Sequence, residues 1–274
     1  MPTIHRPSRA AFRFSGPEAH KLLFDVVTGR LLPEPGPAAW WALLSPQGKI
    51  QAEGLSAFAD DAFWLDVDAA AADGFFRRMR MYRLRAEVTI DDLRETHAVG
   101  WSEDGRAAGV VHADPRAGGL GFRVIAPKPA TAGWAAASTA FAARRIAAGV
   151  AEQGPDFGID IHFAHDIGMD LLGGIDFVKG CYIGQEVVSR MKHRGTARRR
   201  PVIVSGIAAA AGTPVLASGR EAGTLGEVVD GRAVAILRLD RIADPDAVTV
   251  DGRPVLVSLP GWATYRFGEA EGEE

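Results

Sequence analysis

The chain has a single cysteine, Cys181, in a segment whose residue types could make its thiol reactive. The segment runs from Lys179 to Glu186 and reads Lys-Gly-Cys-Tyr-Ile-Gly-Gln-Glu. We interpret it as a strand that passes into a helix near Gly184, so that free N–H groups and the positive end of the helix dipole would face the thiol. On a strand, Lys179 would share a face with Cys181 and favour the thiolate. Alternatively, the cysteine is buried and only fills space.

Two glycines flank this cysteine. We expect Gly180 and Gly184 to let the backbone turn tightly and approach a ligand closely. The elements that must hold the segment are therefore a strand before it and a helix after it.

Residues 176 to 200 resemble the signature of the YgfZ family, K-G-C-[FY]-x-G-Q-E followed by R-x-x-H-R-G. That family belongs to the superfamily of the glycine-cleavage T-protein, the tetrahydrofolate-dependent aminomethyltransferase. The resemblance implies a folate-binding accessory factor for the assembly or repair of iron-sulfur clusters, related to a mitochondrial factor of the same role. It also implies that Cys181 is the functional thiol, tuned by Lys179, and that tetrahydrofolate or a derivative is the cofactor. Iron-sulfur client or carrier proteins would be the partners.

The same resemblance suggests which residues would contact the folate or its anionic tail. Near the cysteine these are Tyr182, Gly184, Gln185, Glu186, Arg190 and Arg194. Arg145 lies in Arg-Ile-Ala-Ala-Gly, which is similar to the T-protein pattern Arg-Leu-x-Ala-Gly that supplies a folate-contacting arginine. Spacing alone indicates only a solvated helical arginine. Arg123 is also a candidate for folate binding, but it stands where the superfamily places a carboxylate that holds the pteridine, and this departure weakens the expectation of T-protein-like binding.

A dense basic run follows the cysteine segment. It could meet nucleic-acid phosphates, the glutamate tail of a folate or an acidic partner protein, or it could be a solvated hinge between domains. Nucleic acid has little other support, because no RNA-binding or helix-turn-helix pattern is present and the formal charge is -3. The seven basic residues are Arg190, Lys192, His193, Arg194, Arg198, Arg199 and Arg200.

A one-carbon transferase is the alternative function. The T-protein has a catalytic aspartate in a Gly-Gly-Ile-x-Asp-Asp stretch, and the counterpart here is Gly48-Lys49-Ile50-Gln51-Ala52-Glu53. The longer side chain of Glu53 would misplace the carboxylate by over an ångström, which can cost ~100-fold in rate. We therefore do not expect a functional aminomethyltransferase. An RNA-binding module that uses residues 190–200 is a second alternative.

We expect no resident metal. His162 and His165 have the spacing of two ligands on one helical turn, but no third ligand of a recognised zinc pattern accompanies them. The common iron-sulfur clusters need four cysteine ligands, and this chain has one. A glycine-rich stretch at 118–121 precedes a strand, so we reject a nucleotide site there.

Composition indicates a globular protein of 274 residues, 47% of them hydrophobic. The single cysteine fits a reducing compartment, and no apolar run approaches the ~18 residues of a membrane span. We expect a soluble cytoplasmic protein with no membrane partner. The acidic end, 269–274, is predicted to be a solvated tail.

The periodicity of the chain predicts an α+β fold with mixed or antiparallel sheets. Alternating patterns predict strands at 10–15, 40–44 and 50–58, and helices are predicted over 69–85 and 134–150. From about residue 200 only short β-type runs remain, which is typical of a small barrel. We therefore predict a T-protein-like folate-binding domain over 1–198 and a C-terminal β-barrel over 199–274.

Overall fold

The computed structural model describes residues 2–195 and 197–268. The chain forms two compact units. The first comprises Met1–Ser138 and Gly173–Gln185, and the second comprises Thr139–Leu172 and Glu186–Glu274. The predicted domain boundary at 198/199 stays a prediction. No helix within the described ranges is long and apolar enough to span a bilayer.

The first unit contains two antiparallel sheets and two helices. The five-stranded sheet has the order β3-β4-β5-β2-β6, and the four-stranded sheet has the order β1-β7-β9-β8. The elements in chain order are β1 (Ile4–His5), β2 (Arg9–Ser15), α1 (Ala19–Val26), β3 (Ala39–Leu44), β4 (Ile50–Ala59), β5 (Ala62–Asp68), α2 (Ala72–Arg83), β6 (Thr89–Asp92), β7 (His97–Ser102), β8 (Val110–Ala113), β9 (Phe122–Pro127) and a 3-10 turn (Lys128–Thr131).

The two faces of the five-stranded sheet carry different cores. Phe12 and Leu65 point to one face, where they join Phe75 of α2 in the main apolar cluster. Their neighbours Ala11 and Trp64 point to the other face, where they pack with residues of the four-stranded sheet. This alternation follows from the period of two along a strand, and it leaves one inter-sheet layer available for polar groups.

The second unit is built on a seven-stranded antiparallel sheet with the order β15-β14-β11-β12-β13-β10-β16. Its core is made of small and branched apolar side chains such as Val202, Ala235 and Val250. The elements are α3 (Ala140–Ala147), a 3-10 turn (His165–Ile167), α4 (Gln185–Arg194), β10 (Arg199–Ser205), β11 (Pro214–Ala217), β12 (Arg220–Val229), β13 (Arg232–Arg238), two further 3-10 turns (Leu239–Arg241 and Pro245–Ala247), β14 (Val248–Val250), β15 (Arg253–Pro254) and β16 (Leu256–Ser258).

Two sequence predictions of secondary structure are wrong. The helix predicted over 134–150 is present only as α3, because the chain before it is held by long-range pairing: Ala135 N donates to Thr3 O at 2.8 Å. The residues before Cys181 do not form a strand. They form bends and irregular backbone from Asp176 to Cys181, and α4 begins at Gln185.

Candidate functional site around Cys181

Lys179 anchors the segment that carries the cysteine to the end of α1. Its Nζ donates hydrogen bonds to the carbonyl oxygens of Phe24 (3.0 Å), Val27 and Gly29 (3.0 Å). An ammonium group has three N–H donors, so all three are used at a helix C-terminus, where the dipole favours a cation. Burial lowers the pKa of Lys179 to about 8.

This geometry corrects the expected relation between Lys179 and the thiol. The side chain of Lys179 is buried with its ammonium group on backbone carbonyls, whereas Cys181 is exposed. Because the segment is not a strand, the argument that places both side chains on one strand face is wrong. Lys179 therefore acts as an anchor, and a chemical role for it beside the thiol stays a prediction.

The backbone before the cysteine is fixed as well. Asp176 Oδ1 accepts hydrogen bonds from the backbone N–H groups of Val178 (2.9 Å) and Lys179 (3.1 Å), and Asp176 N donates to Thr28 O at 2.9 Å. The side chain of Val178 is 95% exposed. The segment thus presents an apolar side chain and the thiol of Cys181 to solvent from a tethered backbone, which is the opposite of a buried, space-filling cysteine.

The two glycines of the segment differ in how strongly the backbone requires them. Gly184 has φ of +80°, and a Cβ there would lie 2.8 Å from Ser45 O and 2.9 Å from Leu44 Cβ. Gly180 has no left-handed φ, and its nearest neighbour would be Phe24 Cε1 at 3.7 Å. The tight turn and close approach predicted for both glycines are present only at Gly184, and the close approach is to protein backbone.

Tyr182 and Gln185 complete the turn into α4. Tyr182 is 7% exposed, and its ring centroid lies 5.0 Å from Lys179 Nζ. Burial raises the pKa of Tyr182. Gln185 N donates to Tyr182 O at 3.2 Å. These contacts stabilise the segment itself, and folate contacts by these two residues stay predictions.

The helix that follows has an exposed polar face. Glu186, Arg190 and Arg194 are exposed. Arg190 Nη1 lies 4.0 Å from Glu186 Oε1, as an i,i+4 ion pair on one face of the helix. The basic run is not a single surface, however, because Arg200 is buried and donates to His165 O (2.8 Å) and Asp170 Oδ1 (2.7 Å). Arg200 therefore does not belong to the exposed basic surface, which includes Arg190, Arg194, Arg198 and Arg199.

Arg123 lies in a buried ionic cluster between the two sheets of the first unit. It donates to Asp66 Oδ2, and Arg9 Nε donates to the same oxygen at 2.7 Å. The second oxygen of Asp66 accepts from Leu55 N at 3.1 Å. Neither Arg9 nor Asp66 was singled out from the sequence, although both are charged residues at inward positions of a strand, which is the one signal that could have found them.

Glu53 belongs to the same cluster. It is fully buried, accepts a hydrogen bond from Trp40 Nε1 at 2.7 Å and lies 3.5 Å from Arg9 Nη1. A carboxylate held in this way neutralises an internal arginine. The structure therefore gives no support to Glu53 as a replacement for the T-protein catalytic aspartate.

Arg145 lies in the second unit. It is buried on α3 and donates to Asp156, to Glu227 Oε2 at 3.1 Å and to Val150 O at 2.9 Å. Burial alone would lower the pKa of Arg145, but the surrounding carboxylates of Asp156, Glu152 and Glu227 raise it. The solvated arginine indicated by spacing alone is wrong, because α3 turns this side chain inward.

These contacts test whether the predicted folate residues fit a folate. Arg123 and Arg145 are each 1% exposed and bonded to internal carboxylates, so neither presents a free guanidinium group to a glutamate tail. These two positions therefore do not fit. The described residues also contain no group of three or more His, Cys, Asp or Glu side chains arranged to hold a metal ion.

Comparisons with known proteins relate the chain to iron-sulfur assembly factors. Residues 197–265 match a family model described as the CAF17 C-terminal β-barrel domain. An iron-sulfur cluster assembly factor IBA57 homologue, mitochondrial, from Pyricularia oryzae is 32% identical over 70% of this chain and 54% of its own length. The human IBA57, also named mitochondrial, is 26% identical over 93% of this chain and 83% of its own length. The chain thus spans about half the length of the fungal relative and most of the human one.

These names contradict one expectation. Both relatives are named as mitochondrial proteins, whereas we predicted a cytoplasmic one. That prediction rested on a single cysteine and on the lack of a long apolar segment, and neither feature distinguishes one reducing compartment from another.

The fold has a known counterpart. The crystal structure of the glycine cleavage system aminomethyltransferase T from Bartonella henselae superimposes with a TM-score of 0.71, covers 97% of this chain and 87% of that chain, and is 14% identical in sequence. The predicted fold class, α+β with antiparallel sheets and a C-terminal barrel, is confirmed. The chain therefore has the T-protein-like fold with a CAF17-type C-terminal barrel, and in sequence it is similar to mitochondrial iron-sulfur cluster assembly factors.

Proposed function

We propose that this chain belongs with the iron-sulfur cluster assembly factors and helps assemble or repair clusters in client proteins through the thiol of Cys181. One observation carries the proposal: the only cysteine of the chain is exposed on a segment that Lys179 and Asp176 tether. The similarity to assembly factors supports it. The finer assignment to the YgfZ family rests on the resemblance of the segment from Lys179 to Glu186.

An exposed thiol suits work on a group that another protein presents. A thiolate can ligate iron, receive a persulfide sulfur or react with a one-carbon unit. A single cysteine cannot provide the four ligands of a common cluster, so the remaining ligands would come from a client or carrier. We therefore treat the cluster as cargo that Cys181 touches in a complex.

The test is complementation of cells that lack the protein. We expect Cys181→Ala to accumulate normally but to leave the activity of cluster-dependent enzymes at the level of the deletion strain. Val178→Ser is the matched control, because it alters an exposed side chain of the same segment and leaves the thiol in place. Full rescue by Cys181→Ala would remove the thiol from the mechanism.

Folate binding is proposed as a second property, supported by the T-protein-like fold and by the family resemblance. Because Arg123 and Arg145 do not fit, a folate would use other groups, and the exposed Arg190 and Arg194 are available for its glutamate carboxylates. A titration of the purified protein with tetrahydrofolate polyglutamate tests this. We expect Arg190→Gln with Arg194→Gln to weaken binding and Arg145→Lys not to change it; no binding by the wild-type protein would leave only the fold in common with the T-protein.

The two alternative functions are less favoured by the geometry. A one-carbon transferase would need a catalytic carboxylate, and Glu53 is bonded to Trp40 and Arg9. An RNA-binding surface would lack one basic residue of the run, because Arg200 is buried against His165 and Asp170.

A further inference from the structure

A cavity of about 590 Å³ opens in the first unit, away from the segment that carries Cys181. Phe58 and Trp64 of the five-stranded sheet line one side, and Val110, His112 and Ile125 of the four-stranded sheet line the other. Its volume lies within the ~300–1,000 Å³ range of small-molecule sites. Most of this wall is aromatic or aliphatic.

His112 is the unusual member of this wall. It is 5% exposed, and neither of its ring nitrogens has a hydrogen-bond partner among the described residues. Buried polar atoms in proteins almost always have a partner, because leaving one unsatisfied is costly. Its position explains the direction of the ring: His112 pairs across the strands with Arg123, so both side chains face the layer between the sheets.

The imidazole is neutral at physiological pH. Burial lowers the pKa of His112 to about 4, although the nearby Asp114 opposes this shift. A neutral imidazole carries one donor and one acceptor. A ligand that satisfies both must therefore present one hydrogen-bond acceptor and one donor to it.

The aromatic wall is held in place before any ligand arrives. Trp64 Nε1 donates to Ala59 O at 3.1 Å, and the guanidinium carbon of Arg13 lies 5.7 Å from the Trp64 ring centroid. Trp64 is 7% exposed, so its ring has little freedom to move. A fixed aromatic surface suits a planar ring, which stacks on it at little cost in entropy.

We propose that the cavity at His112 and Trp64 binds an uncharged, planar heteroaromatic molecule that hydrogen-bonds the imidazole and packs on the indole. An anion is disfavoured because no lysine or arginine is among the described residues that line the cavity. A cation gains little there, because the one carboxylate of the lining, Asp60, is exposed to solvent in the turn between β4 and β5. A metal ion is excluded as the occupant by the donor set, since His97 is the one other imidazole of the lining and the described residues hold no three-ligand cluster. The site works independently of the thiol of Cys181.

The test uses pterin and adenine, which are both planar and uncharged at neutral pH, as probes, with benzoate as an anionic control. The pteridine is chosen because folate is a proposed ligand of this protein. Adenine tests for binding of planar heteroaromatic molecules without assuming a folate. Imidazole resonances of the full-length protein are followed by nuclear magnetic resonance. We expect at least one heterocycle to shift the His112 resonances at millimolar concentrations or below, and benzoate to leave them unchanged.

Substitutions separate a binding site from a buried histidine that only water satisfies. His112→Phe keeps a flat ring and removes both nitrogens, so affinity should fall at least about tenfold. His112→Gln keeps a donor and an acceptor and should retain affinity within about threefold. His20→Phe is the control, since its Nε2 is also buried without a partner among the described residues but lies on α1, where the ring packs on Phe63.

Two outcomes would overturn the proposal. One is that neither heterocycle moves the His112 resonances at 10 mM, a limit on the order of the weakest fragment affinities. The other is that His112→Phe binds them as tightly as the wild-type protein. Pterin binding without tetrahydrofolate binding would support the cavity site and count against the folate proposal. Binding by adenine alone would support a planar heteroaromatic ligand while excluding a pteridine.

Discussion

Lys179 determines how the residues around Cys181 are arranged. Its three hydrogen bonds to the end of α1 replace the strand that the sequence pattern suggests. A pattern of residue types could not show this, because the acceptors are backbone carbonyls 150 to 155 positions earlier in the chain. The signal that was available is the residue type: a lysine is almost never buried unless its ammonium group is paired.

Replacing Lys179 should loosen the segment. Lys179→Met keeps most of the packing volume and leaves three carbonyls without their donor, so we expect a loss of about 2–3 kcal/mol in the free energy of unfolding. Faster amide hydrogen exchange over residues 176–184 is the specific readout. Lys179→Arg keeps the positive charge, so its free energy of unfolding should fall by less than that of Lys179→Met. Unchanged exchange in Lys179→Met would show that the segment is held by other contacts.

Acidification should destabilise the protein through His112. Burial lowers the pKa of His112 from 6.5 to about 4, so in that window the unfolded chain binds the proton more readily than the folded one. This contribution to stability is therefore complete above pH 6.5 and is lost as the pH falls towards 4. In His112→Gln the loss between pH 7 and pH 4 should be smaller by up to about 3 kcal/mol, measured by urea unfolding. Equal losses of stability in the wild-type protein and in His112→Gln would contradict the lowered pKa assigned to His112.

Among the secondary-structure elements, the spacing of apolar residues predicts the type of element well wherever one face of that element is buried. The hairpin β3–β4 and the strand β2 follow directly from alternating apolar residues. The helix over 134–150 fails because Trp134 packs on Gly100, where a Cβ would lie 2.6 Å from its ring, and because Ala135 pairs with Thr3. These long-range contacts outweigh the helix propensity of alanine.

Alanine substitutions of the two glycines around Cys181 provide a matched pair of variants. Gly184→Ala must adopt a left-handed φ and crowd Leu44 and Ser45, so we expect a loss of about 2 kcal/mol and poorer complementation. Gly180→Ala has space and an ordinary φ, so its free energy of unfolding should stay within about 0.5 kcal/mol of wild type. Chemical denaturation of both variants decides the question, and equal effects would contradict the different roles assigned to the two glycines.

A buried ion pair ties α3 to a loop and to β12 in the second unit. Arg145→Leu leaves the carboxylates of Asp156 and Glu227 without their cation, which should cost about 3–5 kcal/mol. Adding Asp156→Leu should recover part of this loss, although Asp156 also accepts from Glu152 N and Glu227 N. Unfolding free energies of the single and double variants test the pair. If Arg145→Leu were neutral in stability but defective in folate binding, Arg145 would be a ligand contact after all.

For the whole molecule, the sequence is sufficient to predict the fold class and the presence of a C-terminal barrel, because the composition changes to short β-type runs near residue 200. The sequence is not sufficient to predict which partners the buried charged residues have. Arg123 and Arg145 were interpreted as folate-binding residues, and Glu53 was considered as a substitute for a catalytic aspartate, whereas the structure bonds each of them to internal partners. Whether a charged residue of a T-protein-like fold binds a ligand or another side chain depends on its partners across strands, which spacing along the chain does not reveal.

The central claim is that Cys181 takes part in loading clusters into client proteins. The most direct measurement is the iron and acid-labile sulfide content of a [4Fe–4S] enzyme purified from cells that carry either the wild-type chain or Cys181→Ala at equal abundance. The account predicts a filled enzyme with the wild-type chain, a largely empty one with Cys181→Ala, and a filled one with the neighbouring Val178→Ser. A fully loaded enzyme from the Cys181→Ala cells would contradict it.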